Sequence, residues 1–350
     1  MRIAVDISPI IAGSGSAHKV RGVGKYITLL RDNLARFDKK NSYNFVSNPS
    51  QISADLVHYP YFDPFFVTLP YINKIKTVVT IHDVIPLAHR NQFPIGAKGN
   101  FKWMINKMLV KKANGILTDS NASKEEIYRV IGVERRKIHP VHLAVDDDFK
   151  HLGLSFQQKK DFLDRYNLPQ EFALYVGDVT WNKNLPRLVD AAIKANVPFV
   201  LVGKALNEEK FDRKNAWNRD RMIVQMKING NDLFHKMGFM QTSDLVKLYN
   251  CASFLCMPSL DEGFGLPALE AMTCGCPVVI SQFGSLPEVG GDAAIYVDAE
   301  DVEEMASVMR QTFTNKNLLN ELSEKSLVQA SKFSLEKMIK DTVTVYESYQ

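Results

Sequence analysis

Apolar residues along this chain follow two alternating rhythms. Short β-branched runs are followed by longer stretches in which apolar positions recur every three or four residues, the signatures of buried strands and amphipathic helices. In the first half, residues 2–7, 43–47, 55–59, 77–82, 115–119 and 137–141 read as strands, and residues 23–37, 98–113 and 124–131 as helices. In the second half, strands are expected at 172–176, 199–202, 233–237, 253–257, 278–281 and 295–297. Helices are expected there at 184–194, 243–251, 267–273, 302–312, 316–332 and 335–349. Ser123 and Glu126 form a capping-box pattern ahead of residues 124–131. Strand–helix alternation implies parallel sheets, and 350 residues suit two domains, so the expected class is α/β with two parallel sheets. Residues 144–153 read as a linker, which sets the expected domains at 1–150 and 151–334, with a terminal helix, 335–350, packing back toward the first.

Composition narrows the class. Hydrophobic residues make up 45% and charged residues 23%, as in soluble globular proteins with a sizeable core. No run approaches the roughly 18 apolar residues of a membrane span, and the acidic Asp6 comes too early for a signal peptide. Cys251, Cys256, Cys274 and Cys276 fall in one apolar region with the wrong spacing for zinc, and read as buried reduced thiols of a cytosolic protein. Charge is uneven. Residues 1–150 carry 22 Lys+Arg against 13 Asp+Glu, and residues 151–350 carry 21 against 26. The basic half suits an anionic surface or ligand.

The densest chemistry lies between Pro258 and Met272, where Glu262 and Glu270 bracket Gly263-Phe264-Gly265-Leu266-Pro267. Glycines that break regular structure and a proline suited to a first helical turn place Glu262 in the loop after a strand and Glu270 a turn into the next helix. In an open α/β sheet, ligands bind beyond such strand ends, and helix-terminal N–H groups attract phosphate.

The segment 238–298 resembles the retaining glycosyltransferases of family 4, which have the GT-B fold. The resemblance rests on Pro258-Ser259, Glu262-Gly263-Phe264-Gly265-Leu266-Pro267, Leu269-Glu270-Ala271-Met272, Gly275, Pro277-Val278-Val279 and Leu286-Pro287-Glu288-Val289. Weaker matches at Gly22-Val23-Gly24-Lys25-Tyr26, Ile81-His82-Asp83, Ser120, Ser123-Lys124 and Lys183-Asn184 extend it over nearly the whole chain. It implies two facing Rossmann-like, doubly wound domains with an interdomain cleft, the second holding a nucleotide-sugar donor and the first an acceptor. Glu270 then resembles the ligand of the ribose hydroxyls, Glu262 that of the donor sugar, and the amides of Gly263, Phe264, Gly265 and Leu266 those of sugar and diphosphate. Lys183 matches the family's phosphate lysine, which stabilises charge on the departing diphosphate. Many relatives carry an arginine beside it; here Asn182 stands there, and Lys204, Arg187 or Lys25 is left to supply the second positive charge.

Gly22 and Gly24 lie between the first strand and helix, without the third glycine of a dinucleotide fingerprint. In the family this loop closes over the diphosphate, and the Gly/Ser-rich residues 12–20 before it are expected to be mobile without ligand. His82 ends a strand; the resemblance sets it near the reacting carbon, and a hydrogen-bonded structural histidine is the alternative. Asp83 is an orienting partner or a turn residue. The run Asp146-Asp147-Asp148 lies in the linker and is not read as a metal site. From Val84 to Thr118 there is no acidic residue, while Arg90, Lys98, Lys102, Lys107, Lys111 and Lys112 are basic. Phe101, Ile105, Met108 and Leu109 repeat at helical spacing, so the helix either docks on anionic lipid through residues 98–112 or faces the core. At about 1 kcal/mol per basic residue near a bilayer, its lysines suffice for reversible attachment.

These readings converge on a metal-independent retaining hexosyltransferase without a cofactor. It is expected to be cytoplasmic and peripheral at the inner membrane face, with a lipid-linked saccharide acceptor in cell-surface polysaccharide assembly. The Ile81–Pro86 and Lys183-Asn184 contexts resemble relatives that use GDP-mannose; a UDP-sugar is the alternative donor. Rival readings are a non-catalytic GT-B sugar-nucleotide binder or scaffold and a nicotinamide-dependent enzyme. No nucleic-acid module is evident.

Overall fold

In the computed structural model, residues 1–11, 22–49, 52–70 and 75–350 are described. The Gly/Ser-rich residues 12–20 lie outside them. The chain divides into two compact units, Met1–Ala144 with Phe333–Gln350, and Val145–Lys332. The first division therefore falls at the start of the expected linker, 144–153, six residues before the expected domain boundary at 150, and the terminal helix Leu335–Glu347 lies in unit 1.

Unit 1 holds β1 (Arg2–Asp6), β2 (Ser42–Val46), β3 (Leu56–Tyr59), β4 (Lys76–Thr80), β5 (Gly115–Thr118) and β6 (Ile138–Pro140) in the order β2-β1-β3-β4-β5-β6. Unit 2 holds β7 (Ala173–Val176), β8 (Phe199–Val202), β9 (Phe234–Gly238), β10 (Phe254–Met257), β11 (Val278–Ser281) and β12 (Ala294–Val297) in the order β12-β11-β10-β7-β8-β9. Every pairing is parallel. The inner strands β3, β5, β8, β10 and β11 are buried at every position. That is why their sequences read as continuous apolar runs rather than alternating ones.

The strand order determines where a ligand can sit. In unit 2 the chain runs outward from β7 through β8 to β9, then returns to lay β10 on the other side of β7. The loops after β7 and β10 therefore leave the sheet in opposite directions and open a crevice at their carboxyl ends, the switch point of a doubly wound sheet. Unit 1 has the same reversal at β1, between β2 and β3.

Several local expectations change. Ser120, not Ser123, caps the helix Asn121–Ile131: its hydroxyl accepts from the Ser123 amide at 3.0 Å, so the Ser123/Glu126 capping box is not formed. A true capping box, Ser155 with Gln158, starts the unexpected helix Phe156–Arg165. Helix Arg219–Ile228 was also unexpected. Its inward face includes Arg221, buried against the Phe211 ring at 3.9 Å, and a buried arginine breaks the apolar stripe that would have announced it. Gly22 and Gly24 occupy the first turn of the helix Gly22–Phe37 rather than a preceding loop, and Gly24 is buried. The stripe expected on Ala97–Lys112 is split: Leu109 is buried with Trp103, Asn106 and Val110, while Phe101 and Met108 face solvent. All four cysteines are buried and free, and burial pushes the Cys251 thiol up to about 11. Among the described residues, no helix is long and apolar enough to cross a membrane.

Candidate active site

The crevice of unit 2 is lined by the loops that follow β7 and β10. After β7 the chain makes a short turn, Trp181–Lys183, and passes through Asn184 in the left-handed region (φ 57°) into the helix Leu185–Ala195. After β10 it crosses to Gly265, also left-handed (φ 96°), and enters the helix Leu266–Thr273 with Pro267 in its first turn. No side chain caps that helix, so its terminus offers the partial positive charge of its first turn to a ligand.

Side-chain amides lock the two loops together. Asn182 Nδ2 donates to the Asp261 carbonyl at 3.1 Å, and the Leu260 amide donates back to the Asn182 carbonyl at 2.7 Å. The buried Asn184 donates to the Pro258 and Ala299 carbonyls at 3.0 and 2.7 Å. Lys183, carried between these two asparagines, donates to both carboxylate oxygens of Glu262 at 2.6 and 2.8 Å. The Glu262 side chain is only 6% exposed. It also accepts from Ser259 Oγ at 2.7 Å, while its carbonyl accepts from Ser285 Oγ at 3.0 Å. Gly284 (φ 59°) packs on the Glu262 backbone so closely that a Cβ there would lie 2.6 Å from the Glu262 nitrogen. Each of these contacts narrows where the Glu262 carboxylate can point.

Glu270 is held from behind. Tyr249, fully buried in the helix Thr242–Cys251, donates its hydroxyl to Glu270 Oε2 at 2.9 Å. Burial, and then the neighbouring Glu270 charge, push the Tyr249 phenol well above its ordinary value, so it remains a donor. Unit 2 thus brings together Lys183, Glu262, Glu270 and the Gly263–Leu266 turn, as the sequence arranged them. Of the expected second cations, Arg187 donates to Asn184 Oδ1 at 3.0 Å, and the exposed Lys204 lies 3.7 Å from Glu208.

Unit 1 carries a second constellation, at the carboxyl ends of β3, β4 and β5. His82 Nδ1 lies 2.8 Å from Asp119 Oδ2. Burial alone would lower the His82 pKa; the Asp119 charge and hydrogen bond outweigh it and hold it raised. Nε2 is buried beside the Pro60 carbonyl and makes no aligned hydrogen bond. The Tyr26 ring stands edge-on to His82 at 5.0 Å, and its hydroxyl reaches Thr80 Oγ1 at 3.1 Å. Thr80 in turn meets His58 Nε2 at 2.7 Å, and His58 Nδ1 meets Tyr346 of the terminal helix at 2.7 Å. Asp83 Oδ1 accepts from the Ile85 amide at 3.1 Å, a turn-capping contact.

Sequence reasoning passed over Asp119 and Tyr249, and gave Ser259 no role of its own within the motif. Asp119 had a signal, a polar residue at the end of a buried strand run. Tyr249 had a weaker one, a tyrosine on the apolar face of a helix, whose hydroxyl needs a buried partner.

Two family models match the chain: "Glycosyl transferases group 1" over residues 157–328 and "Glycosyltransferase Family 4" over residues 17–149. An O-antigen chain mannosyltransferase B of Escherichia coli is 30% identical over 304 residues, 84% of this chain and 75% of that protein. The serotype-specific mannosyltransferase WbdA of Escherichia coli is 29% identical over 285 residues, 78% of this chain; the chain spans about a third of that longer relative (33%). Among solved structures, Anabaena Alr3699/HepE in complex with UDP and glucose aligns over 99% of both chains, with a TM-score of 0.72 at 15% identity. At that identity the likeness speaks for the GT-B fold alone.

Proposed function

This chain belongs to the group 1, family 4 glycosyltransferases and has their GT-B fold, and from that premise we propose that it transfers mannose from GDP-mannose, with retention of configuration, to a lipid-linked saccharide. Its setting in this reading is O-antigen or related surface-polysaccharide assembly on the cytoplasmic face of an anionic membrane. Mannose is supported by the names of the relatives, and retention by the motif through Glu262 and Glu270.

The observation that carries this reading is the Lys183–Glu262 pair at the switch point. A half-buried ammonium and a buried carboxylate compensate one another here. A nucleoside diphosphate brings its own negative charge to Lys183 and to the helix terminus at Leu266, and the sugar hydroxyls take up Glu262. Glu270 holds the ribose. As the glycosidic bond breaks, charge grows on the diphosphate, where Lys183 and the helix amides stabilise it. The departing diphosphate oxygen then takes the acceptor hydroxyl's proton while the acceptor oxygen attacks the sugar's anomeric carbon from that same face. No protein nucleophile is required, and no metal has a step in the scheme. In unit 1, His82, kept proton-rich by Asp119, is the side chain of that constellation able to give a proton.

The test is purified protein assayed for transfer from a panel of nucleotide sugars. Lys183→Ala and Glu262→Gln should each lower kcat/KM by about 10²–10³-fold, in line with loss of one preorganised charge contact, while retaining native circular dichroism. Full turnover in either variant removes the mechanism. A UDP-sugar is the second reading of the donor, favoured by the UDP in the HepE structure. Thermal shifts separate the two, since the true donor raises the melting temperature by mass action.

A further inference from the structure

Four buried side chains of unit 1 form one hydrogen-bonded chain. Tyr346 Oη, in the last turn of the terminal helix, lies 2.7 Å from His58 Nδ1. His58 Nε2 lies 2.7 Å from Thr80 Oγ1, which lies 3.1 Å from Tyr26 Oη. Tyr346 and His58 are 0% exposed, Thr80 1% and Tyr26 4%. Among the described residues, neither tyrosine hydroxyl has another partner.

Counting hydrogens gives this chain a direction. Burial pushes His58 down to about 3, so its ring is neutral and carries a single N–H. The three hydroxyls bring one hydrogen each. Four hydrogens therefore serve three links, and one is left over. With the ring hydrogen on Nδ1, His58 donates to Tyr346, and the leftover hydrogen is that of Tyr346, wholly buried and without an acceptor among the described residues. With the ring hydrogen on Nε2, Tyr346 donates to His58, His58 to Thr80 and Thr80 to Tyr26, and the leftover hydrogen is that of Tyr26. The charge of Asp119 acts on the Tyr26 hydroxyl and favours the positive end of a free O–H there. A third arrangement, with Tyr26 donating to Thr80, orphans the Thr80 hydroxyl. An orphaned buried donor disfavours an arrangement by at least about 5-fold.

We infer that the chain runs one way, from Tyr346 through His58 and Thr80 to Tyr26, with His58 as the Nε2–H tautomer, and that Tyr346 is a positioning residue for His82. The link to His82 is the Tyr26 ring, which stands edge-on to the imidazole at 5.0 Å. Thr80 and Tyr26 hold that ring at its hydroxyl, His58 holds Thr80, and Tyr346 decides which His58 nitrogen donates. The last turn of the terminal helix thereby fixes a wall of the His82–Asp119 constellation from the far side of β3 and β4. The inference rests on the reading of His82 as the proton-bearing group of unit 1 for its purpose, while its evidence is the hydrogen count.

Imidazole nitrogen NMR of the intact, histidine-labelled protein tests the direction without any substrate. In the wild type, His58 should show a protonated Nε2 and a bare Nδ1. Tyr346→Phe removes the donor to Nδ1, so either tautomer then leaves that nitrogen unsatisfied; His58 should become a mixture, and the His82 resonances should move. Thr80→Val should keep the wild-type tautomer, because Tyr346 still donates to Nδ1. In transfer assays Tyr346→Phe should lower kcat about 5-fold, the scale of one buried hydrogen bond, with the donor KM and the melting shift given by GDP or UDP unchanged. A bare Nε2 in the wild type overturns the direction. Tyr346→Phe with the wild-type tautomer, or with a lower melting temperature and unchanged kcat, makes Tyr346 ordinary core and overturns its positioning role. If the protein is inert toward every nucleotide sugar, a mixed His58 and a moved His82 in Tyr346→Phe leave the chain standing and remove the enzymatic reading instead.

Discussion

The two sheets end in different kinds of chemistry. At the carboxyl ends of β7 and β10, anionic side chains are held in place by donors: Glu262 by Lys183 and Ser259, Glu270 by Tyr249. At the ends of β3, β4 and β5, two histidines lie in one hydrogen-bonded neighbourhood and are driven in opposite directions. His82, beside Asp119, is held above its ordinary pKa, while His58, between Thr80 and Tyr346, is pushed down to about 3 by burial and then by His82. Unit 2 is built to hold fixed charge, and unit 1 to place one ionisable histidine beside a neutral one. A fixed-charge site suits a diphosphate that must be gripped at every pH. The histidine pair suits a step in which a proton is offered to one partner only.

Removing the group that makes the histidines unequal should have the largest effect. Asp119→Asn keeps the shape but deletes the charge, so burial of His82 is no longer opposed and its pKa falls. Transfer at neutral pH is expected to drop about 10²-fold, the scale of a lost proton donor. The alkaline limb of activity should also move to lower pH, because His82 then keeps its proton only in more acid solution. The kcat/KM–pH profiles of the two proteins decide it. A uniform loss with an unmoved profile would make Asp119 a structural partner and level the comparison between the units.

The neutral histidine makes a prediction of opposite sign. The folded pKa of His58, about 3, lies below its unfolded value near 6.5. Between those values the unfolded chain binds a proton that the folded one refuses, so stability falls as pH falls through that window. At about 1.4 kcal/mol per unit, acidifying from pH 6.5 to 5 should remove about 2 kcal/mol from unit 1. His82, with a raised folded pKa, works the other way: its contribution is present below the unfolded value and fades as pH rises through the folded one. Amide exchange of β3 and β4, compared at pH 5 and 7 in the wild type and in His58→Gln, isolates the term. If the variant is as acid-sensitive as the wild type, His58 is not the neutral member of the pair.

The same contrast explains what could be read from sequence. The inner strands β3, β5, β8, β10 and β11 were legible because each is buried at every position, which forces an apolar run. The two crevice loops were legible although Lys183 and Glu262 are 79 residues apart, because each sits in its own local signature. Gly265 and Pro267 mark the turn around Glu262 and Glu270, and the asparagines flank Lys183. In unit 1, strand-end positions mark His82 and Asp119 one at a time, but nothing local joins the network. His58 and Tyr346 are 288 residues apart and His82 and Asp119 are 37 apart, so only the β1–β3–β4–β5 order and the return of the terminal helix bring them together. Helix Ala97–Lys112 failed for another reason. With apolar residues on both faces, periodicity could not tell which face the core would take, and Asn106, a polar residue, turned out to mark the inward one.

The smallest effect divides unit 2 within itself. Tyr249→Phe removes the hydroxyl behind Glu270 and leaves Lys183, Glu262 and Ser259 untouched. If Glu270 grips the ribose equally before and during transfer, weakening its support removes uniform binding: KM for the donor rises and kcat stays. One buried hydrogen bond to a charged group is about 1.5–3 kcal/mol, part of which falls on stability. The donor KM should therefore rise roughly 5–10-fold, with kcat within about 2-fold of wild type. Glu262→Gln should do the reverse, lowering kcat more than it raises KM, because its contacts tighten as the sugar moves. A melting temperature that drops in Tyr249→Phe while KM holds would make the tyrosine ordinary core. Matching KM and kcat changes in both variants would mean that the two glutamates act as one clamp, with no division between the nucleotide and the sugar it carries.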